Sequence, residues 1–492
     1  MAHRRSAAAR AAAADSEPLL PPEDTGEPPG APMTDSVGSG AGQHGGASSL
    51  KNQVLASLCA CFGGLVAGLT LAYSSPAGPD LEKSSLALDS KQVSLIGSMM
   101  PLGALFGGLA CGPTMDRFGR RTAMVLISLP AMLGWLLITY ANGFGMILTG
   151  RILTGFATGC TTVVAPTYVA EVCEARIRGA MGAGFQFQVT LGILLTYIMG
   201  KYLHWNFLAM ASSFFPAAWL LLVCWLRESP VWLLDQDKEA EALDTLTWLR
   251  GPDADVTGEL NQMLQQLRES RENQASFRDL AKRENLRPFV LSMMLMLFQQ
   301  LSGVNAVIFY TVDIFSDSGS SIDSDLATII VGIVQMLSTF AGVVLVDRLG
   351  RKVLLIISDA IMGVCLLALG VFFYIKFDGS GNVENIGWLP LVSLMLFIFA
   401  FSVGFGPIPW LMMGELCAPE VKGVASGVAV AFNWTLAFIV TLTFQPLVDG
   451  ITEAGVFWLF AAVCFAGVAY VTIFCYETKG KTLQEIQEHF RN

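Results

Sequence analysis

Charge is scarce in this chain. Only 14% of its 492 residues are Asp, Glu, Lys or Arg, against about a quarter in ordinary soluble domains, so a water-soluble globule is excluded. Basic residues are the scarcer sign, 30 against 40 acidic. The resulting net charge of −10 argues against a nucleic-acid binder, which needs a basic face. Histidine is almost missing. His3, His44, His204 and His489 fall in the tails or a loop with no nucleophile beside a base, so neither an enzyme nor a bound cofactor is expected. The ten cysteines form no C-x-x-C pair and do not gather in polar loops. That pattern leaves no zinc site and no disulfide framework, and makes them small apolar fillers.

What is plentiful is hydrocarbon. Hydrophobic residues make up 53% of the chain. Apolar windows of about 20 residues, the length that crosses a bilayer, recur twelve times, from 54–75 to 421–443 and 455–476. The expected fold is an all-α membrane protein: twelve transmembrane helices in two six-helix bundles, residues 51–226 and 289–476. Residues 227–288 read as a cytoplasmic helical linker, because stretches such as Glu239 to Trp248 have amphipathic spacing. Residues 1–50, rich in Ala, Pro, Gly and Ser, read as a disordered cytoplasmic tail and not as a signal peptide. Residues 477–492 form the other tail. Of the 30 basic residues, 25 fall in the tails and even-numbered connections, which places both termini in the cytoplasm.

An internal repeat divides the spans six and six. Asp116-Arg-Phe-Gly-Arg-Arg121 follows the second span, and Asp347-Arg-Leu-Gly-Arg-Lys352 follows the eighth. Glu171 with Arg178-Gly179 follows the fourth, and Glu415 with Lys422-Gly423 follows the tenth. Motifs recurring at matching places indicate two copies of one bundle. Together with Arg227-Glu-Ser-Pro230, Gln299-Gln-Leu-Ser-Gly-Val-Asn305, Gly406-Pro-Ile-Pro-Trp410 and Glu477-Thr-Lys-Gly480, they resemble the signature of the sugar porter family of the major facilitator superfamily. The resemblance covers about residues 54–490. Within that family, Tyr73-Ser-Ser-Pro76 and the tail motif Asp15-Ser-Glu-Pro-Leu19-Leu20 resemble the intracellular, class III facilitative hexose transporters. The run from Gly404 to Glu415 is similar to insect trehalose carriers. The resemblance implies uniport of a hexose such as glucose by alternating access. Proton-coupled symport, carriage of a disaccharide such as trehalose, and a non-transporting sugar sensor are the alternatives.

A small neutral sugar needs partners that donate and accept hydrogen bonds without net charge. Asn and Gln amides do both, and inside a span they are costly unless they face a wet cavity or a partner. The candidates are Gln186, Gln299, Gln300, Asn305, Gln335 and Asn433, with the Trp410 ring for the sugar's C–H face. The resemblance puts each at a sugar-contacting position. On an unbroken helix Gln300 and Asn305 would lie about 140° apart, so a break at Ser302-Gly303 would reconcile them. Pro407 and Pro409 must interrupt the tenth span. These breaks are the expected gates, and Phe309 and Tyr310 resemble the family's extracellular lid.

The resemblance gives the charged motifs a different task. It assigns Arg117, Arg121, Glu171, Arg178 and Glu228 in one half, and Arg348, Arg351, Glu415 and Glu477 in the other, to inter-helix salt bridges. Those bridges hold the outward-open state and break when the inside opens. Proton-driven relatives carry an acid in span one facing an arginine in span four. Here the arginine is Arg151 but Thr70 stands in the acid's place, which favours passive uniport. In the tail, Asp15, Leu19 and Leu20 match an acidic dileucine signal. Clathrin adaptors would read it, giving residence in endosomal or lysosomal membranes, with the plasma membrane as the alternative.

Overall fold

A computed structural model describes residues 49–252, 254–272, 277–280, 282–318, 323–378, 386–481 and 483–491. The tail signal at Asp15, Leu19 and Leu20 lies outside them. The first half holds α1 (Lys51–Ala72), which passes through Tyr73 into α2 (Ser74–Lys83), then α3 (Ser90–Phe118), α4 (Arg120–Thr139), α5 (Phe144–Val172), α6 (Ala175–Tyr202) and α7 (Trp205–Trp225). Four shorter helices follow: α8 (Pro230–Asp235), α9 (Glu239–Arg250), α10 (Thr257–Glu272) and α11 (Phe277–Leu280). The second half holds α12 (Arg283–Leu301), α13 (Val304–Ser318), α14 (Ser324–Leu349), α15 (Arg351–Asp378), α16 (Leu389–Val403), α17 (Ile408–Leu416) and α18 (Pro419–Phe474), with α19 (Leu483–Arg491) at the end.

Among the described residues, eleven helical stretches are long and apolar enough to cross a membrane, and the last of them, Glu420–Phe474, contains 55 residues. At 1.5 Å per residue that is about 80 Å, far beyond the roughly 30 Å of a hydrocarbon core. Thr452, at φ +68°, divides it into the eleventh and twelfth spans. The loop expected between residues 443 and 455 is therefore corrected to a single backbone break. Leu109, Leu129, Leu133, Leu221 and Val364 are each more than half exposed, an apolar surface suited to acyl chains and not to water.

Small residues let the first half pack backbone on backbone. Gly103 and Gly107 of α3 lie against the Ile152 and Phe156 carbonyls of α5, while Gly155 and Gly159 lie against those of Met100 and Ala104. Each pair is spaced four apart, so one face of each helix is stripped of side chains and the axes approach closely. The linker docks on this half through Arg250, which is 3% exposed. Arg250 pairs with Glu259 at 2.6 Å and donates to the Val172 carbonyl at 2.9 Å.

Candidate functional site

Two interruptions bring the amides together at mid-depth. The seventh span stops at Leu301 and resumes at Val304, with Gly303 at φ +82° and its Cα facing the Phe460 ring. A side chain at this position would be strained by the left-handed backbone and would meet that ring. The tenth span stops at Val403 and resumes at Ile408. Between them the Phe405 and Gly406 carbonyls leave the helical ladder, and both accept from Gln299 Nε2 at 2.8 Å. Ser358 of α15 holds the same break, donating to the Ala400 carbonyl at 2.8 Å and accepting from Phe405 N–H at 3.1 Å.

Four of the six candidate amides form one network. Asn433 donates to Gln299 Oε1 at 2.9 Å and accepts from Gln300 Nε2 at 2.8 Å, and Asn305 donates to Gln300 Oε1. The break at Ser302-Gly303 turns Asn305 back towards Gln300, which an ideal helix would not allow. Gln299, Gln300 and Asn433 are buried at 3%, 6% and 4% exposure. Asn433 is thus no glycosylation acceptor, although Asn433-Trp-Thr435 spells a sequon. The other candidates stand apart. Gln335 is buried on α14, Gln186 is exposed on α6, and Trp410 packs near Leu280 and Met413. Among the described residues none of the three bonds to the network.

The aromatic pair lies beyond the amides. Phe309 is buried, and Tyr310 departs from helical geometry at φ −119°. The Tyr310 hydroxyl reaches Ser94 of the first half at 3.0 Å, and its ring stacks on Phe444 with centroids 4.8 Å apart. A cavity of about 50 Å³ lined by Asp313, Asp317 and Glu453 follows, large enough for water and too small for a sugar. Four hydrogen bonds join the halves among the described residues, all toward this side: Ser94–Tyr310, Tyr197 to the Ile308 carbonyl, Val312 N–H to Ser75, and Lys201 to Asp323. Toward the charged-motif side the halves are parted. A Cβ on Gly112, Gly182, Gly184, Gly423 or Gly427 would meet nothing within 4 Å.

The charged motifs fold into two matching units, one per half. Gly119 at φ +89° and Gly350 at φ +92° turn the chain into α4 and α15. Glu228 then accepts from the Arg120 and Arg121 N–H groups at 2.7 and 3.0 Å, and Glu477 from those of Arg351 and Lys352 at 3.0 and 2.9 Å. A carboxylate there satisfies unpaired amides and the positive end of the helix dipole. Arg120 pairs with Glu171 at 2.9 Å, as Arg351 does with Glu415 at 2.9 Å.

The expected salt-bridge roles need correction in three respects. Arg120, absent from the expected set, makes the pair; the repeat register, in which Arg120 matches Arg351, carries that signal. Arg117, Arg121, Arg178 and Arg348 make no ion pair among the described residues. Arg121 instead donates to the Cys224 carbonyl and Arg178 to that of Cys173. Finally, the pairs join helices of one half and stay formed while the halves are parted on this side.

Arg151 is wholly buried, donating to the Thr70 carbonyl at 2.9 Å and to Ser74 at 3.0 Å, over the Tyr73 ring. Its partners are neutral, as the missing acid in span one implies.

A family model described as "Sugar (and other) transporter" matches residues 56–490. The chain belongs to that family. This sugar transporter is 42% identical over 443 residues to the facilitated trehalose transporter Tret1 of Polypedilum vanderplanki, covering 89% of this chain and 88% of that one. To Tret1 of Culex quinquefasciatus it is 43% identical over 441 residues, covering 89% and 85%. Among solved structures, it is similar to the proton:xylose symporter XylE bound to 6-bromo-6-deoxy-D-glucose. The TM-score is 0.74 at 25% identity, covering 89% of this chain and 99% of that one. The partially occluded inward open XylE from E. coli matches with TM-score 0.74 at 24% identity, covering 88% and 100%, which speaks for the fold alone. The sugar transporter is thus a multi-pass membrane protein of the major facilitator fold, and not an enzyme.

Proposed function

We infer that this transporter carries a trehalose-type disaccharide by facilitated diffusion, with alternating access about the amide network. The observation that carries this reading is the junction of two broken helices where Gln299, Gln300, Asn305 and Asn433 meet. These groups are uncharged, donate and accept, and now bond mainly to one another. A sugar arriving from the parted side exchanges those bonds for its own hydroxyls, so neither state leaves buried amides unpaired. Gln186, Gln335 and Trp410 complete the contact set when the halves close. The relatives named for trehalose favour a disaccharide over the hexose expected first. A hexose is the second reading, since XylE is similar and was solved with a glucose derivative.

With the charged-motif side cytoplasmic, the described conformer is inward-open, and the outer gate is Tyr310 with Phe309 behind it. Counterflow of labelled trehalose and glucose in proteoliposomes tests the reading. Saturable trehalose exchange without a pH gradient is expected, and binding without exchange would make the protein a sensor. Residence in endosomal or lysosomal membranes rests on Asp15, Leu19 and Leu20 engaging clathrin adaptors. The double change Leu19→Ala, Leu20→Ala is expected to raise surface labelling severalfold, and an unchanged distribution removes the signal's role.

A further inference from the structure

The amide site leaves one deeply buried acid unused. Asp359, eight residues past the start of α15, is 0% exposed, and neither carboxyl oxygen has a hydrogen-bond partner among the described residues. Gly467 of α18 leaves the space into which Asp359 Oδ2 projects, and Phe298 of α12 borders the same spot. The titratable group facing it is the Cys464 thiol of α18, a weak donor, with Cys365 of α15 close to that thiol. Tyr470 lies beyond Phe298, its ring tilted against that one with centroids 5.4 Å apart. On α16 there is no ionisable residue, and on α17 only Glu415, which Arg351 and Thr478 engage. An ionised carboxylate with no cation and only a weak thiol donor in such surroundings is far costlier than a neutral carboxyl.

Asp359 is also wired to the site. Its chain neighbour Ser358 holds both sides of the break between α16 and α17, and the Phe405 carbonyl at that break accepts from Gln299 at 2.8 Å. A charge appearing at Asp359 arises one residue from the serine that holds the hinge, and two hydrogen bonds link that serine to the amides through Phe405.

The geometry points to Asp359 as a proton-binding site linked to the span-ten hinge. It holds a proton in the conformer described here, and releases it when movement of Gly404–Pro407 admits water or a donor. The ligand is a proton from cytoplasmic water, because Asp359 sits about 12 Å, eight residues at 1.5 Å each, from that end of α15. Loading and release on one side shift the carrier's orientation without driving accumulation. By linkage, acid on that side favours the inward-open conformer. The inference rests on the transporter reading above.

The test uses the full chain carrying Gly182→Cys and Cys224→Ser. Gly182 faces open space in this conformer, and Cys224 is the one exposed cysteine of ten. In vesicles exposing the cytoplasmic face, a membrane-impermeant maleimide reads how open that face is. Labelling is compared with that of Asp359→Asn and Asp359→Ser in the same background, two neutral replacements so that one failing to fold leaves the other. The ratio of parent to neutral variant cancels the reagent's own pH dependence. It is expected to rise about threefold from roughly pH 8 to pH 5.5. A flat ratio overturns the proposal. Trehalose counterflow at neutral pH, measured alongside, is expected in parent and variants alike. Its absence from all of them would sink the transporter reading while leaving the labelling result standing.

Discussion

The two halves share a frame and differ in what they enclose. In both, a glycine with positive φ, a capping glutamate and an arginine–glutamate pair tie three helix ends together: Arg120, Glu171 and Glu228 in one, Arg351, Glu415 and Glu477 in the other. Inside, the first half packs α3 on α5 through glycines and buries a cation, Arg151. The second half is broken at Gly303 and between Val403 and Ile408, and buries amides and an acid. The repeat builds the scaffold, and the departures from the repeat place the chemistry.

The comparison breaks most sharply at Gln300. Gln300→Ala removes the group joining Asn305 to Asn433, and is expected to cut trehalose counterflow about 100-fold with an unchanged gel-filtration profile. Gln186→Ala in the first half should cost tenfold or less, about the value of one neutral hydrogen bond. Equal losses would remove the asymmetry between halves. Next in size is the frame. Arg120→Ala leaves Glu171 unpaired and should cost about 3 kcal/mol in denaturation of the detergent-solubilised protein. Arg121→Ala, whose side chain reaches only carbonyls, should cost less than about 1 kcal/mol. The opposite ranking would restore the original assignment.

Gly303→Ala imposes a left-handed conformation on alanine beside Phe460. It should cost roughly 1–3 kcal/mol and slow counterflow, whereas Gly182→Ala, in open space, should do neither. The smallest effect is expected at the outer contact between Lys201 and Asp323. The Leu326 N–H and then Lys201 hold the Asp323 carboxyl below the usual carboxylate range, so its contribution exists above that range and fades as pH falls through the lowered value. Lys201→Ala should change labelling at Gly182→Cys less than about twofold, with the change vanishing in acid.

Much of this was legible in the chain. Run lengths fixed the helical class because a bilayer sets the length of every span, and the 231-residue offset between Asp116 and Asp347 gave the two-fold construction. The interruptions in spans seven and ten follow from Gly303, Pro407 and the angle between two amides. The pairing of Arg120 was also there in the repeat register, but two adjacent arginines leave the choice to the turn that aims them. Asp359 was visible only as an acid inside an apolar run; the run names no neighbours for it, and the space it occupies comes from Gly467, 108 positions away.

By itself, then, the sequence determined what local rules control: how many helices, where they must break, and which polar groups hydrocarbon would force to find company. Which groups meet was decided by tertiary structure, because hydrogen bonds such as Gln300–Asn433 close across 133 positions, and only the packed helices bring such groups within reach.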